Sequence, residues 1–218
     1  MIDQEIHEVM ARFTLASQEW VSPAVTIVSQ REGNPFKVLI SCILSLRTKD
    51  RTTGPASERL FALAPDTETL ARLSPETVER AIYPVGFYRN KAAQIIEISR
   101  RLRDEYAGRV PDEIDELLSF KGVGRKTANL VVTLGYGKPG ICVDTHVHRI
   151  CNRLGYITTR TPEETEMALR AKLPTEYWIG INDLLVMCGQ NLCLPVSPRC
   201  SLCPVAYLCA RNGVERSR

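Results

Sequence analysis

F-K-G-V-G-R-K-T-A-N, residues 120–129, sets two glycines between segments with helical patterning, Glu113 to Ser119 before it and the apolar run L-V-V-T-L after it. Helix, glycine hairpin, helix is the layout this implies. Glycine lacks a Cβ, so Gly122 and Gly124 permit close backbone approach and dihedrals closed to other residues. The amides of such a turn and the N-terminus of the following helix can point at a phosphate, and contacts of that kind hold a nucleic acid without reading its sequence. Lys121, Val123 and Arg125 lie in the same turn. A nucleotide P-loop fits poorly, because Arg125 interrupts the Gly-Lys-Thr ending, the glycine spacing differs and no strand precedes it. An ordinary glycine turn between two helices would read the same way.

Working outward, helix signals recur in both directions and no convincing period-two strand is found, which predicts an all-α chain. Asn34 and Pro35 read as N-cap and first-turn proline of F-K-V-L-I-S-C-I-L-S-L, apolar nearly all round and therefore central. Ile2, Ile6, Val9, Met10 and Phe13 share one face of a first helix, with Asp3 near its positive end. Shorter helices are expected from Asp50, Asp66 and Ser74-Pro75, and a long one from about Arg89 to Tyr106, stopped by Gly108. Thr161-Pro162-Glu163-Glu164 has capping-box spacing, and Pro174 separates that helix from W-I-G-I-N-D-L-L-V-M-C-G.

The 218 residues allow one large domain or two small ones, and 44% hydrophobic with 24% charged residues suits a globular chain. A net charge of +3 permits a nucleic-acid partner without demanding one. M-I-D-Q-E-I-H-E carries acids where a secretory or mitochondrial leader would carry Lys or Arg. No apolar run reaches membrane-spanning length. An intracellular, cytoplasmic protein with no membrane association is expected, nucleoid-associated if prokaryotic.

Two further constellations carry chemistry. V-D-T-H-V-H-R, residues 143–149, puts Asp144 eighteen positions after Lys126, so an acid and a lysine flank one helix. Taken singly, Asp144 reads as a helix N-cap and Lys126 as a solvated helix lysine. Of eight cysteines, Cys193, Cys200, Cys203 and Cys209 are spaced C-x6-C-x2-C-x5-C in a proline-rich segment. Four thiolates so close suit a shared metal. Zinc motifs usually show two short Cys pairs and only one occurs here, but the spacing also differs from common ferredoxin runs, which leaves zinc or an iron-sulfur cluster. Cys42, Cys142, Cys151 and Cys188 lie in apolar contexts and read as small buried hydrophobes.

Taken in order, the three constellations resemble the endonuclease III branch of the helix-hairpin-helix DNA glycosylases. The resemblance spans nearly the whole chain, including N-P-F-K-V-L-I-S-C-I-L-S, Y-P-V-G-F-Y-R-N-K-A, the hairpin, V-D-T-H and the four-cysteine tail. It implies two helical domains with a DNA-binding cleft between them: a six-helix domain over 28–138 with the hairpin, and 1–27 plus 139–218 carrying a [4Fe-4S] cluster on the four cysteines. The implied activity is a bifunctional glycosylase and abasic-site lyase acting on oxidised or ring-saturated pyrimidines. The implied partner is double-stranded DNA with damaged bases or abasic sites, bound by a monomer. The alternatives are a glycosylase for another lesion and a catalytically silent DNA-binding protein.

Residue by residue, Lys126 matches the family's catalytic lysine and Asp144 its catalytic aspartate. Related adenine glycosylases carry serine at the lysine position and certain thymine-mismatch glycosylases tyrosine, so Lys126 implies combined base removal and strand cleavage. Lys121, Gly122, Val123, Gly124, Arg125 and His146 fall on DNA-contacting segments, and Phe87 and Arg47 on loops that enter the duplex. The family's usual proline before the hairpin glycine is Lys121 here, and a common bacterial glutamine is Arg47. The loop between Cys193 and Cys200, often basic in the family, has only Arg199.

Overall fold

The computed structural model describes residues 3–218, and every regular element among them is a helix. In chain order these are α1 (Glu5–Ser17), α2 (Ala24–Glu32), α3 (Pro35–Ser45), α4 (Asp50–Leu63), α5 (Thr67–Arg72) and α6 (Pro75–Ile82). There follow α7 (Tyr88–Tyr106), α8 (Ile114–Leu118), α9 (Arg125–Leu130), α10 (Thr145–Leu154), α11 (Pro162–Lys172) and α12 (Ile181–Asn191). No helix among the described residues is long and apolar enough to cross a membrane.

Contacts divide the chain into two compact units, one being Ala24–Gly140 and the other the segment through Pro23 together with Ile141–Arg218. A first break at 27/28 would cut α2. A second at 138/139 would detach Gly140, whose Cα packs against Thr133 and Asn129 so closely that a Cβ would meet Thr133 Cγ2 at 3.0 Å. The 24–140 unit holds α2 to α9, more segments than the six expected, because α5, α8 and α9 are only five or six residues long.

The 24–140 unit is organised by α3. Asn34 accepts the Phe36 N–H at 2.9 Å, and Pro35 sits at the first helical position, where no N–H is needed. Every residue from Val38 to Leu44 is buried, and α3 packs against α2, α4, α7 and α9. Each of Leu39, Ile40, Ile43 and Leu44 is wholly buried, worth about 1.5–3 kcal/mol apiece. Asp66 and Ser74 cap α5 and α6 as their sequence positions predict. The long α7 begins one residue earlier than expected, and the left-handed stop starts at Ala107 (φ +50°) before Gly108 (φ +79°).

A continuous α-helix was the expectation for L-V-V-T-L, but α9 passes into a π-turn, Val131–Gly135. Thr133 Oγ1 donates to the Asn129 carbonyl at 2.7 Å, and a Cβ on Gly135 would meet Pro35 Cα at 3.1 Å. The wider winding accompanies close contact with the first turn of α3, information absent from local sequence.

In the second unit, α1 and α10 pack on α12, and Ile6, Val9, Met10 and Phe13 are buried with Val147, Ile150 and Leu184. Ile2, assigned to the same face, lies outside the described residues. The capping box at Thr161 is only half reciprocal. Thr161 Oγ1 accepts the Glu164 N–H at 3.1 Å, whereas Glu164 Oε2 takes the N–H of Arg160 at 2.7 Å rather than that of Thr161.

Candidate functional site

The hairpin between α8 and α9 is built on a four-residue turn in which the Val123 N–H donates to the Phe120 carbonyl at 3.0 Å. Gly122 occupies its third position at φ +78°, the region a type II turn requires and glycine supplies. A Cβ there would also meet Gln94 Nε2 at 2.3 Å. Gln94 donates to the Lys121 carbonyl at 2.9 Å, so α7 clamps the turn without the proline that would preset it. Gly124 corrects the expectation of unusual dihedrals at both glycines. It caps α9 at φ −97°, which any residue adopts, with open space where a Cβ would stand. Lys126, the second residue of α9, is exposed, as is Lys121, while Arg125 is half-buried. Val123 is buried at its side chain and committed to the turn at its amide.

Arg47 and Phe87 share a backbone peculiarity: both lie in the left-handed region, at φ +52° and +58°. Phe87 is 60% exposed, which rules out a place in the core. The Arg47 guanidinium stands 5.8 Å from the centre of its ring, and both side chains reach solvent. Asp144 is the N-cap of α10, its Oδ1 accepting the N–H groups of His146 at 2.8 Å and Val147 at 3.0 Å. The His146 ring packs on bare Gly189 of α12, where a Cβ would meet its Nδ1 at 2.0 Å, and Arg149 Nη2 lies 3.1 Å from that nitrogen.

The four spaced cysteines line one recess, together with Phe13, Ile150 and Arg153. All four are half-buried, and the remaining four cysteines are fully buried, as expected from their context. Burial pushes the Cys203 and Cys209 thiols up, and the neighbouring cysteines push in the same direction. Among the described residues no three His, Cys, Asp or Glu side chains are set for a single metal ion.

Two residues of the site have no role assigned by the sequence motifs. Arg153, 8% exposed, donates to Cys193 Sγ at 3.3 Å and to the carbonyls of Leu194 and Pro195, each at 2.7 Å. Lys91, 5% exposed, reaches from α7 to the end of α3, donating to Leu44 O at 2.9 Å and Thr48 Oγ1 at 3.1 Å and also to Leu46 O. The available signal was helical spacing, since Lys91 shares the apolar face of Ile95, Ile98 and Leu102.

Residues 40–175 match the family model described as HhH-GPD superfamily base excision DNA repair protein. Endonuclease III of Thermotoga maritima is 47% identical, over 86% of this chain and 93% of that protein. Endonuclease III homolog 1, chloroplastic, of Arabidopsis thaliana is 44% identical over 84% of this chain, which spans only 50% of that longer protein. A solved structure described as a trapped endonuclease III–DNA covalent intermediate, an estranged-adenine complex, superposes with a TM-score of 0.82 at 32% identity, covering 97% of each chain. With a hairpin of this geometry ahead of Lys126, and relatives of this similarity along nearly its whole length, the chain belongs to the endonuclease III family of base excision DNA repair enzymes.

Proposed function

We propose that Lys126 is the nucleophile with which this DNA glycosylase and abasic-site lyase removes oxidised or ring-saturated pyrimidines. The observation that carries the reading is the exposed Lys126 on the first turn of α9, directly behind the glycine turn. In the proposed sequence the hairpin amides at Gly122 and Gly124 hold a backbone phosphate, which positions the strand without reading it. The damaged nucleotide leaves the stack at a cost of a few kcal/mol, lowest for weakened pairs, while Phe87 wedges and Arg47 fills the gap.

Lys126 Nζ, in its neutral form, then attacks C1′ of the sugar. The C1′–N bond breaks and its electron pair leaves with the base. Loss of the amine's proton and opening of the ring give a Schiff base. Removal of a proton from C2′ expels the 3′ phosphate by β-elimination, so the strand is cut 3′ to the abasic site. The Asp144 carboxylate stabilises positive charge that develops on the sugar as the base departs. Single-turnover cleavage of duplexes carrying a ring-saturated pyrimidine, 8-oxoguanine, uracil or no lesion tests the substrate class. The ring-saturated pyrimidine should be cut at least about 100-fold faster than undamaged duplex. Faster cleavage at 8-oxoguanine or uracil would displace it as the substrate.

The same reading assigns a [4Fe-4S] cluster to Cys193, Cys200, Cys203 and Cys209. The four thiols share one recess, and Arg153 already donates to Cys193 Sγ, which places positive charge beside the thiolates that such a cluster takes. Those four cysteines would hold the cluster and so cross-link the segment from Cys193 to Cys209, and the cluster would supply one-electron redox capacity there. Purified protein should be brown, with about four iron and four sulfide per chain. Colourless protein with one zinc per chain would refute the assignment and leave the hairpin chemistry standing.

A further inference from the structure

Lys91 is charged, buried and outside the reaction just described, yet it touches both segments that present Arg47 and Phe87. We infer that Lys91 is a positioning residue that holds these two side chains ready to enter the duplex. The inference rests on their proposed insertion.

The last carbonyls of α3 have no partner within the helix, and a glycine stop or water would ordinarily serve them. Here the three hydrogens of the Lys91 ammonium meet three acceptors, Leu44 O, Leu46 O and Thr48 Oγ1. Those acceptors bracket Arg47 on both sides. The main-chain N–H of Lys91 donates to the Phe87 carbonyl at 3.0 Å, so the same residue also closes the first turn of α7 on Phe87. Thr48 Oγ1 joins the two segments directly, accepting the Gly86 N–H at 3.2 Å and donating to Leu46 O at 3.3 Å. A Cβ on Gly86 would lie 2.8 Å from the Arg47 carbonyl oxygen, so the segments meet backbone to backbone.

Two consecutive costs make sense together. Arg47 and Phe87 hold left-handed backbones that L-residues leave unless their surroundings impose them. Burial pushes the Lys91 ammonium down to about 8, a penalty that stopping a helix does not require. A buried cation at this point fixes both strained residues at once, leaving Arg47 and Phe87 stacked and solvent-facing.

Lys91→Met keeps the chain length and removes the three donors. Single-turnover cleavage is measured on a ring-saturated pyrimidine in duplex and in the same strand unpaired, with thermal melting recorded alongside. The duplex-to-single-strand ratio should fall at least about tenfold, the size of one charge-assisted hydrogen bond lost from the arrangement. In a background of Arg47→Ala and Phe87→Ala, adding Lys91→Met should cost no more than about twofold in that ratio, since nothing remains to position. Should Lys91→Met not fold, Thr48→Val, which removes the hydroxyl shared by Lys91 and Gly86 while keeping the branched shape, carries the same test.

Equal losses on both substrates, or the same cost in both backgrounds, would make Lys91 a structural residue only and leave insertion intact. If Arg47→Ala with Phe87→Ala left the ratio unchanged, insertion itself would be wrong and the inference would fall with it.

Discussion

Lys126→Ala should give no covalent adduct when damaged duplex is treated with borohydride, and its single-turnover strand cleavage should fall by at least about 10⁴-fold. The side chain is exposed and alanine is a good helix former, so folding should change by less than about 0.5 kcal/mol. Binding to lesion-bearing duplex should stay within about threefold of wild type, because the phosphate is assigned to backbone amides. An adduct that persists in Lys126→Ala would mean that another amine attacks C1′. Lys121, exposed in the same hairpin, is the first to examine by peptide mapping of the adduct.

Asp144→Asn separates the two roles its position allows. Asparagine caps helices about as well as aspartate, so Oδ1 should keep both amides and the melting temperature should hold. The rate of base release should nonetheless fall about 10²- to 10³-fold, as expected when an electrostatic stabiliser of the departing state is neutralised. Asp144→Ala should lose the same activity and, in addition, about 1 kcal/mol of stability. A stable Asp144→Asn protein that releases base at the wild-type rate would reduce Asp144 to a cap.

What could be read from the sequence was what short-range chemistry decides. Asn34-Pro35, Asp66, Ser74-Pro75, Thr161 and Asp144 announce helix starts because the cap and the amide it serves are two or three residues apart. The hairpin was legible for the same reason, since one residue, Gly122, must adopt a positive φ. The features that escaped depend on partners far along the chain. The π-turn after α9 answers to Pro35 and Lys91 to the end of α3, whereas the half-reciprocal box at Thr161 is a local exception set by how Arg160 enters. For Phe87 the sequence alone makes a core aromatic beside a turn nearly as good a reading as an exposed wedge, and its 60% exposure separates the two.

The composition of the second unit from two distant segments also dictates an order of events during synthesis. The face of α1 that carries Ile6, Val9, Met10 and Phe13 is covered by residues from α10 and α12. At ribosomal rates of about 5–20 residues per second, that face stays uncovered for roughly ten to thirty seconds after it is made. In the interval the 24–140 unit is completed and can close on its own α3 core. The hairpin and Lys126 can therefore take shape before the four cysteines have been translated. α1 spends that time as an amphipathic segment open to chaperones, and the cysteine-bearing unit is the last to shut.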